Sequence, residues 1–334
     1  MKRIIVSLIM FSTVAAMAQN EVVQSGTPAV LEAPNGKKIR VFLQKLDGDN
    51  LTFQAYKSTK DITVPASKIK SLEFFAKYDA ESVEMTYNQG DYDDTLSVLE
   101  PLMEDYLEYM PIQNNMRNVL AMFYDAYLRK DDFSNVRKLA DILMACGDAS
   151  FEVQAKVGLA LAALAEEDFA TAEQIRSELE SPTASLYLEA VIERSQGNPK
   201  EALKTVADLI AEHGNDLEWL PDSELLAAYC YLDMTGTNSV ITTNSAMYSA
   251  RQVKNIYNGS PVAADAEKLW ISLGGDVVEA EKAAKKAELA AVEAEIKARR
   301  EAERQAEREA ARAARAAEAA AVLETNTNTQ TESE

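Results

Sequence analysis

Four passages of this chain share one layout: "NQGDYDDTLSVLEPL", "LRKDDFSNVRKLADIL", "LAEEDFATAEQIRSEL" and "RSQGNPKEALKTVADLI". Each closes one helix in polar residues, places a turn and restarts on an amphipathic helix. Tyr92, Phe133 and Phe169 hold the same place in the first three and Pro199 in the fourth, at intervals of 41, 36 and 30 residues. Three residues further on stand Thr95, Val136, Ala172 and Ala202, all small or medium, as close approach of two helices requires. Four residues beyond those come Leu99, Ala140, Arg176 and Val206; Arg176 is the exception, and its neighbour Ile175 is better placed to pack. A helical hairpin of this kind cannot bury its apolar face alone, so successive units must stack. Only 12 Gly and 9 Pro in 334 residues also favour long helices over a strand-and-turn fold.

The recurrent region, residues 78–275, resembles the tetratricopeptide repeat family. "GDY" and "GNPKEAL" match that family's turn and second helix, and the spacing scatters around its period of about 34 residues. A fifth unit runs from Asp222 to Leu273. The resemblance implies a mainly α fold, a solenoid of stacked α-hairpins; a non-repeating α-bundle is the alternative. It also implies a concave face built from the first helix of each hairpin. Carried over residue by residue, that face holds Asn118, Asp125 and Arg129 in the second unit, Gln154 in the third, and Tyr187 and Arg194 in the fourth. These six are the candidate partner-binding residues. They are mixed in charge and do not form a cluster of lysine and asparagine.

A polar lead-in, 19–33, and a small β module, 34–77, precede the repeats. "IRVFLQKL", "LTFQAY" and "ITVP" read as strands separated by the turns "DGDN" and "KSTKD". "SKIKSLEF" reads as a short helical turn carrying Ile69 and Leu72. The module resembles small SH3-like barrels. Lys37, Lys38, Lys45, Lys57, Lys60, Lys68 and Lys70 make it locally basic, which suits a solvated surface or docking on an acidic one. After the repeats, residues 276–324 are built almost wholly from strong helix formers and form a long single helix. Glu281–Lys285, Glu293–Lys297 and Glu295–Arg299 are acid-before-base pairs at i,i+4. Leu289, Val292 and Ile296 are its only seam of large apolar residues, so it is either a solitary solvated helix or a weakly self-associated pair. Residues 325–334, "TNTNTQTESE", are a disordered tail.

The start of the chain addresses it. Lys2 and Arg3 precede an apolar run, Ile4 to Ala16, and "AMA" offers a small-x-small cleavage pattern. Residues 1–18 therefore read as a cleaved signal peptide, and the run is shorter than the roughly 20 residues a spanning helix needs. The protein is expected to be exported, in the bacterial periplasm or secreted, with no membrane-spanning segment after cleavage. A net charge of -20 disfavours nucleic acid as a partner. Cys146 and Cys230 each fall in an apolar helix, where a buried free thiol is the expectation even in an oxidising compartment.

No catalytic, cofactor or metal site is expected. His213 is the one histidine, and Gly214 after it marks a helix end where a cation suits the dipole. The two cysteines are far apart, and no phosphate loop, dinucleotide fingerprint or nucleophile elbow occurs. Trp219 and Trp270 fit core or junction packing better than sugar stacking. The function expected is a non-enzymatic scaffold that holds a protein partner; the alternative is an envelope spacer acting through the long helix.

Overall fold

A computed structural model describes residues 25–301, with side chains placed at all but 235–239. The expected signal peptide 1–18, the end of the long helix at 302–324 and the tail 325–334 lie outside the described residues. The chain is mainly helical, with one antiparallel sheet at its start.

The sheet has five strands: β1 (Thr27–Glu32), β2 (Lys38–Asp47), β3 (Asn50–Ala55), β4 (Asp61–Pro65) and β5 (Ser71–Phe74). Their spatial order is β4-β3-β2-β1-β5, so β4 and β5 are its two edges. Alternation places Ala29, Leu31, Val41, Leu43, Leu51, Phe53, Leu72 and Phe74 in the core. Two sequence expectations are corrected. The lead-in 19–33 contains β1, so the β module does not begin at residue 34. "TPAVLE" has few large apolar residues, and pairing with β2, from Thr27↔Leu43 to Glu32↔Lys38, makes it a strand. In "SKIKSLEF" only Ala66–Lys68 is helical, as one 3-10 turn; Leu72 and Phe74 belong to β5, which pairs with β1.

The sheet is no separate module. Its β5 edge is covered by the loop before the third helix: Leu72 N–H donates to Gln113 O at 2.8 Å. The Asn115 side chain accepts from Phe74 N–H at 2.8 Å and donates to Phe74 O at 3.1 Å. Covering an edge in this way satisfies backbone groups that would otherwise template aggregation. Phe74 also packs on Tyr106, ring centres 4.7 Å apart, and the sheet shares one continuous hydrophobic core with the first helices. Of the module's lysines, Lys38 and Lys70 pair with Glu32 inside the sheet.

The helices are α1 (Ala80–Asn88), α2 (Tyr92–Glu104), α3 (Arg117–Arg129), α4 (Phe133–Ala145), α5 (Ala149–Ala165), α6 (Phe169–Ser177), α7 (Pro182–Ser195), α8 (Pro199–His213), α9 (Leu220–Asp233), α10 (Thr235–Ile256) and α11 (Pro261–Ser272). A further helix, α12, covers 275–301. Tyr92, Phe133, Phe169 and Pro199 are the first residues of α2, α4, α6 and α8. Two residues before each of those starts the chain is left-handed, at Gly90 (φ 76°), Asp131 (φ 56°), Glu167 (φ 61°) and Gly197 (φ 82°). In all four turns that residue's N–H donates to the carbonyl three residues back, at 2.9–3.0 Å. Thr95, Val136, Ala172 and Ala202 are each 1% exposed or less, so the helices of each pair meet at the small residue. Each helix from α1 to α9 packs on the next, and α5 packs on α7 and α7 on α9.

The chain divides inside α11 into two compact units, residues 1–266 and 267–334. In the second unit every α12 residue from Ala280 to Glu301 is exposed, including Leu289, Val292 and Ile296. None of the described helices is long and apolar enough to cross a membrane. Cys146 and Cys230 are free and buried. His213 ends α8 with Gly214 as its cap.

Candidate functional site

Three of the six candidate residues converge where helices from both ends of the first unit meet. Asp125 and Arg129 stand on α3 in acid-before-base order at i,i+4, with Arg129 in the last turn, where a cation suits the helix dipole. Arg129 Nε donates to Asp125 Oδ2 at 2.5 Å. Its Nη1 donates to Asp265 of α11 at 2.9 Å, and its Nη2 lies 3.4 Å from Asp222 in the first turn of α9. Two tyrosines complete the shell. Tyr87 of α1 donates its hydroxyl to Asp125 at 2.5 Å, and Tyr92 of α2 donates to Asp265, 3.0 Å from each carboxylate oxygen.

The Arg129 side chain is only 13% exposed. Burial alone would lower its pKa; the Asp125 and Asp222 carboxylates reverse this and hold it well above the ordinary value. Asp222 is raised, first by burial, against the opposing pull of Arg129. Tyr87 and Tyr92 are pushed far up, in both cases chiefly by burial, so both hydroxyls act as neutral donors. One guanidinium thus faces three carboxylates from three helices. A charge desolvated to this degree persists only when paired and hydrogen-bonded, so the cluster is an ionic hub that ties α1, α2 and α3 to α9 and α11.

Tyr187 of α7 borders the hub. It is raised by burial and then by Asp222, and its ring lies 5.4 Å from that of Trp219. Trp219 is buried beside Val157 and Ala184, and Trp270 is buried as well, as packing residues should be. Arg194 stands apart from the hub: its Nε donates to Asp233 at 2.6 Å, and its guanidinium lies 5.1 Å from the Tyr229 ring. Gln154 is half-buried and Asn118 exposed, and neither side chain bonds to the hub. Sequence reasoning missed Tyr87, Tyr92, Asp222 and Asp265 as members of the site. Asp265 carried a signal in "PVAADAEKLW", being a lone acid between Val262 and Ala266, both buried.

Among the described residues, no group of three or more His, Cys, Asp or Glu side chains is placed to hold a metal ion. The hub's carboxylates are turned toward Arg129 and the tyrosine hydroxyls, an arrangement suited to holding helices or acidic groups in place. Set against protein-family models, curated proteins and solved structures, the chain matches none of them.

Proposed function

We propose that the protein is an exported, non-enzymatic scaffold that holds a protein partner on the face formed by the first helices of stacked, tetratricopeptide-like hairpins. The observation that supports it most is the fourfold recurrence of one turn: a left-handed residue, a helix start two residues on, and a buried small residue three beyond. Repetition of one hairpin geometry builds an extended surface, which is what such arrays present to partners. Asn118, Asp125, Arg129, Gln154, Tyr187 and Arg194 are the partner-binding residues of this reading, and the β module fixes the first hairpin.

The test is photo-crosslinking in the native cell from positions 118 and 154, followed by identification of the adduct. The expected result is one protein recovered from both positions and lost when Tyr187 and Arg194 are both replaced by alanine. Recovery that ignores the double substitution overturns the reading.

A second reading, an envelope spacer acting through the long helix, is favoured by one observation: the α12 seam of Leu289, Val292 and Ile296 is exposed. Removing residues 277–334 separates the two readings. The scaffold keeps its crosslinked partner after that deletion, whereas a spacer loses its position in the envelope and yields no partner from either form.

A further inference from the structure

One hub contact joins opposite ends of the first unit. Asp265 lies 173 residues from Tyr92 and 136 from Arg129 along the chain, yet its carboxylate is held by both. The two donors come from α2 and α3; the Tyr92 ring packs edge-on against that of Tyr87, and Arg129 is braced without α11. Asp125 holds Arg129 Nε, and Tyr87 in turn holds Asp125. Around Asp265 the start of α11 adds a carbonyl and small apolar side chains. The Pro261 carbonyl is 3.4 Å from the Tyr92 hydroxyl, and the other buried side chains there are Val262, Ala263 and Ala266. The charged part of the grip on α11 is a carboxylate seated on a guanidinium and a phenol, with Trp270 buried further along the helix, and another carboxylate on a small-residue helix fits the same donors.

We propose that Tyr92 and Arg129 form a carboxylate-binding site that Asp265 occupies in cis, and that an acidic helical segment of a partner protein takes it in trans by displacing the start of α11. The occupant is an aspartate side chain flanked by small residues, because that is the chemistry already seated there. The inference rests on the scaffold reading, in which this face meets a protein. It adds that the face is closed by the chain itself until a partner carrying that pattern competes.

The probe is a synthetic peptide of residues 260–272, SPVAADAEKLWIS, acetylated and amidated so that its only added carboxylates are side chains. Its binding is measured by fluorescence anisotropy against the full chain, wild type and Asp265→Lys, the lysine repelling Arg129 and freeing the site. Asp265→Lys should bind the peptide roughly 30-fold more tightly than wild type does, the ratio that about 2 kcal/mol of a buried charge pair gives. A peptide carrying Asn in place of its one Asp, at position 265, should lose that gain. Equal binding by both chains, or by both peptides, overturns the inference. Should Asp265→Lys fail to fold, hydrogen exchange at residues 262–266 of the wild-type chain decides. Excess peptide accelerates it if α11 is displaced and leaves it unchanged if not. A partner crosslinked in the cell by a chain that ignores the peptide sinks this inference and leaves the scaffold standing; peptide binding without any cellular partner sinks the scaffold, and with it the partner as occupant, and leaves only the carboxylate site.

Discussion

From β1 to α4 most of the buried hydrophobic side chains are leucine, phenylalanine, tyrosine and methionine, and they merge into one core; from α5 to α11 alanine is the commonest of them, in smaller clusters. Of the twelve largest side chains buried to under 2%, ten lie at or before Leu143, and only Leu188 and Ile192 come later. Burying a large apolar side chain contributes about 1.5–3 kcal/mol, and alanine far less. Alanine instead lets helices approach closely, which sets the shape of the later hairpins without adding much stability. The later half therefore depends on ties to the earlier one, and the hub around Arg129 is the tie that spans the longest stretch of chain.

Arg129→Met breaks that dependence most directly. It leaves the half-buried Asp125, Asp222 and Asp265 without their cation, which should cost about 3–5 kcal/mol. Native-state hydrogen exchange locates the loss: amides of α9 should open well before those of α2 to α4. Uniform loss of protection across both halves would mean that the hub is a shared core element and not a tie.

The next largest effect compares the cores themselves. Leu120→Ala, in the continuous core between α3 and its neighbours, should cost about 3–5 kcal/mol because packed surroundings cannot collapse onto the cavity. Leu188→Ala sits in a cluster of four other buried residues, three of them alanine, where relaxation is easier, and should cost about 2–3 kcal/mol. Urea unfolding of both variants measures the difference. Equal costs, or the reverse order, would erase the distinction between a rigid front and a lighter back.

The same contrast explains what the sequence disclosed. Local features were legible. The starts of α2, α4, α6 and α8 are written in turn residues and in a buried small residue three positions on. The strands β2, β3 and β4 are written in alternation. Features made by distant partners were not. β1 is a strand because β2 and β5 flank it, and β5 was mistaken for a helical turn because Ile69 and Leu72 are also spaced for one. The hub was half-legible: Asp125 and Arg129 are neighbours on one helix face. Asp222 is an ordinary first-turn acid, and Asp265 an ordinary acid one turn into its helix, until α9 and α11 fold back onto α3.

Asp222→Asn sharpens the account of the hub with a smaller effect. Arg129, Asp125 and Asp265 are the charged groups around Asp222, and burial raises its folded pKa above the unfolded value of about 3.9. For a carboxyl raised on folding, the native state holds the proton more tightly. Its contribution to stability is greatest below the unfolded pKa and falls as pH rises through the folded one. Asparagine keeps an acceptor for Arg129 Nη2 and removes that decline. The variant should therefore gain on wild type as pH rises from about 4 to 7 and lie within about 1 kcal/mol of it at neutrality. Chemical denaturation across that pH range checks the trend. A variant that falls steadily further behind with rising pH would show that the Asp222 charge is needed by Arg129 rather than tolerated.

The smallest effect concerns the one device both halves share. The turns before α2 and α8 use Gly90 and Gly197, whereas those before α4 and α6 force Asp131 and Glu167 into the same left-handed geometry. A residue with a Cβ strains there by roughly 1–2 kcal/mol, and glycine returns about 0.5–1 kcal/mol of that as chain entropy on folding. Glu167 is exposed, so its side chain has little packing to lose. Glu167→Gly should stabilise the protein by about 0.5–1 kcal/mol, read as a higher urea midpoint at unchanged slope, and Gly197→Ala should move it the other way by a similar amount. If both shifts appear, the turns are equivalent across the two halves, and the difference between front and back lies in what the helices bury. If Glu167→Gly destabilises, the α5–α6 turn is held by its side chain, and the later hairpins rest on local contacts that the alanine-rich clusters do not reveal.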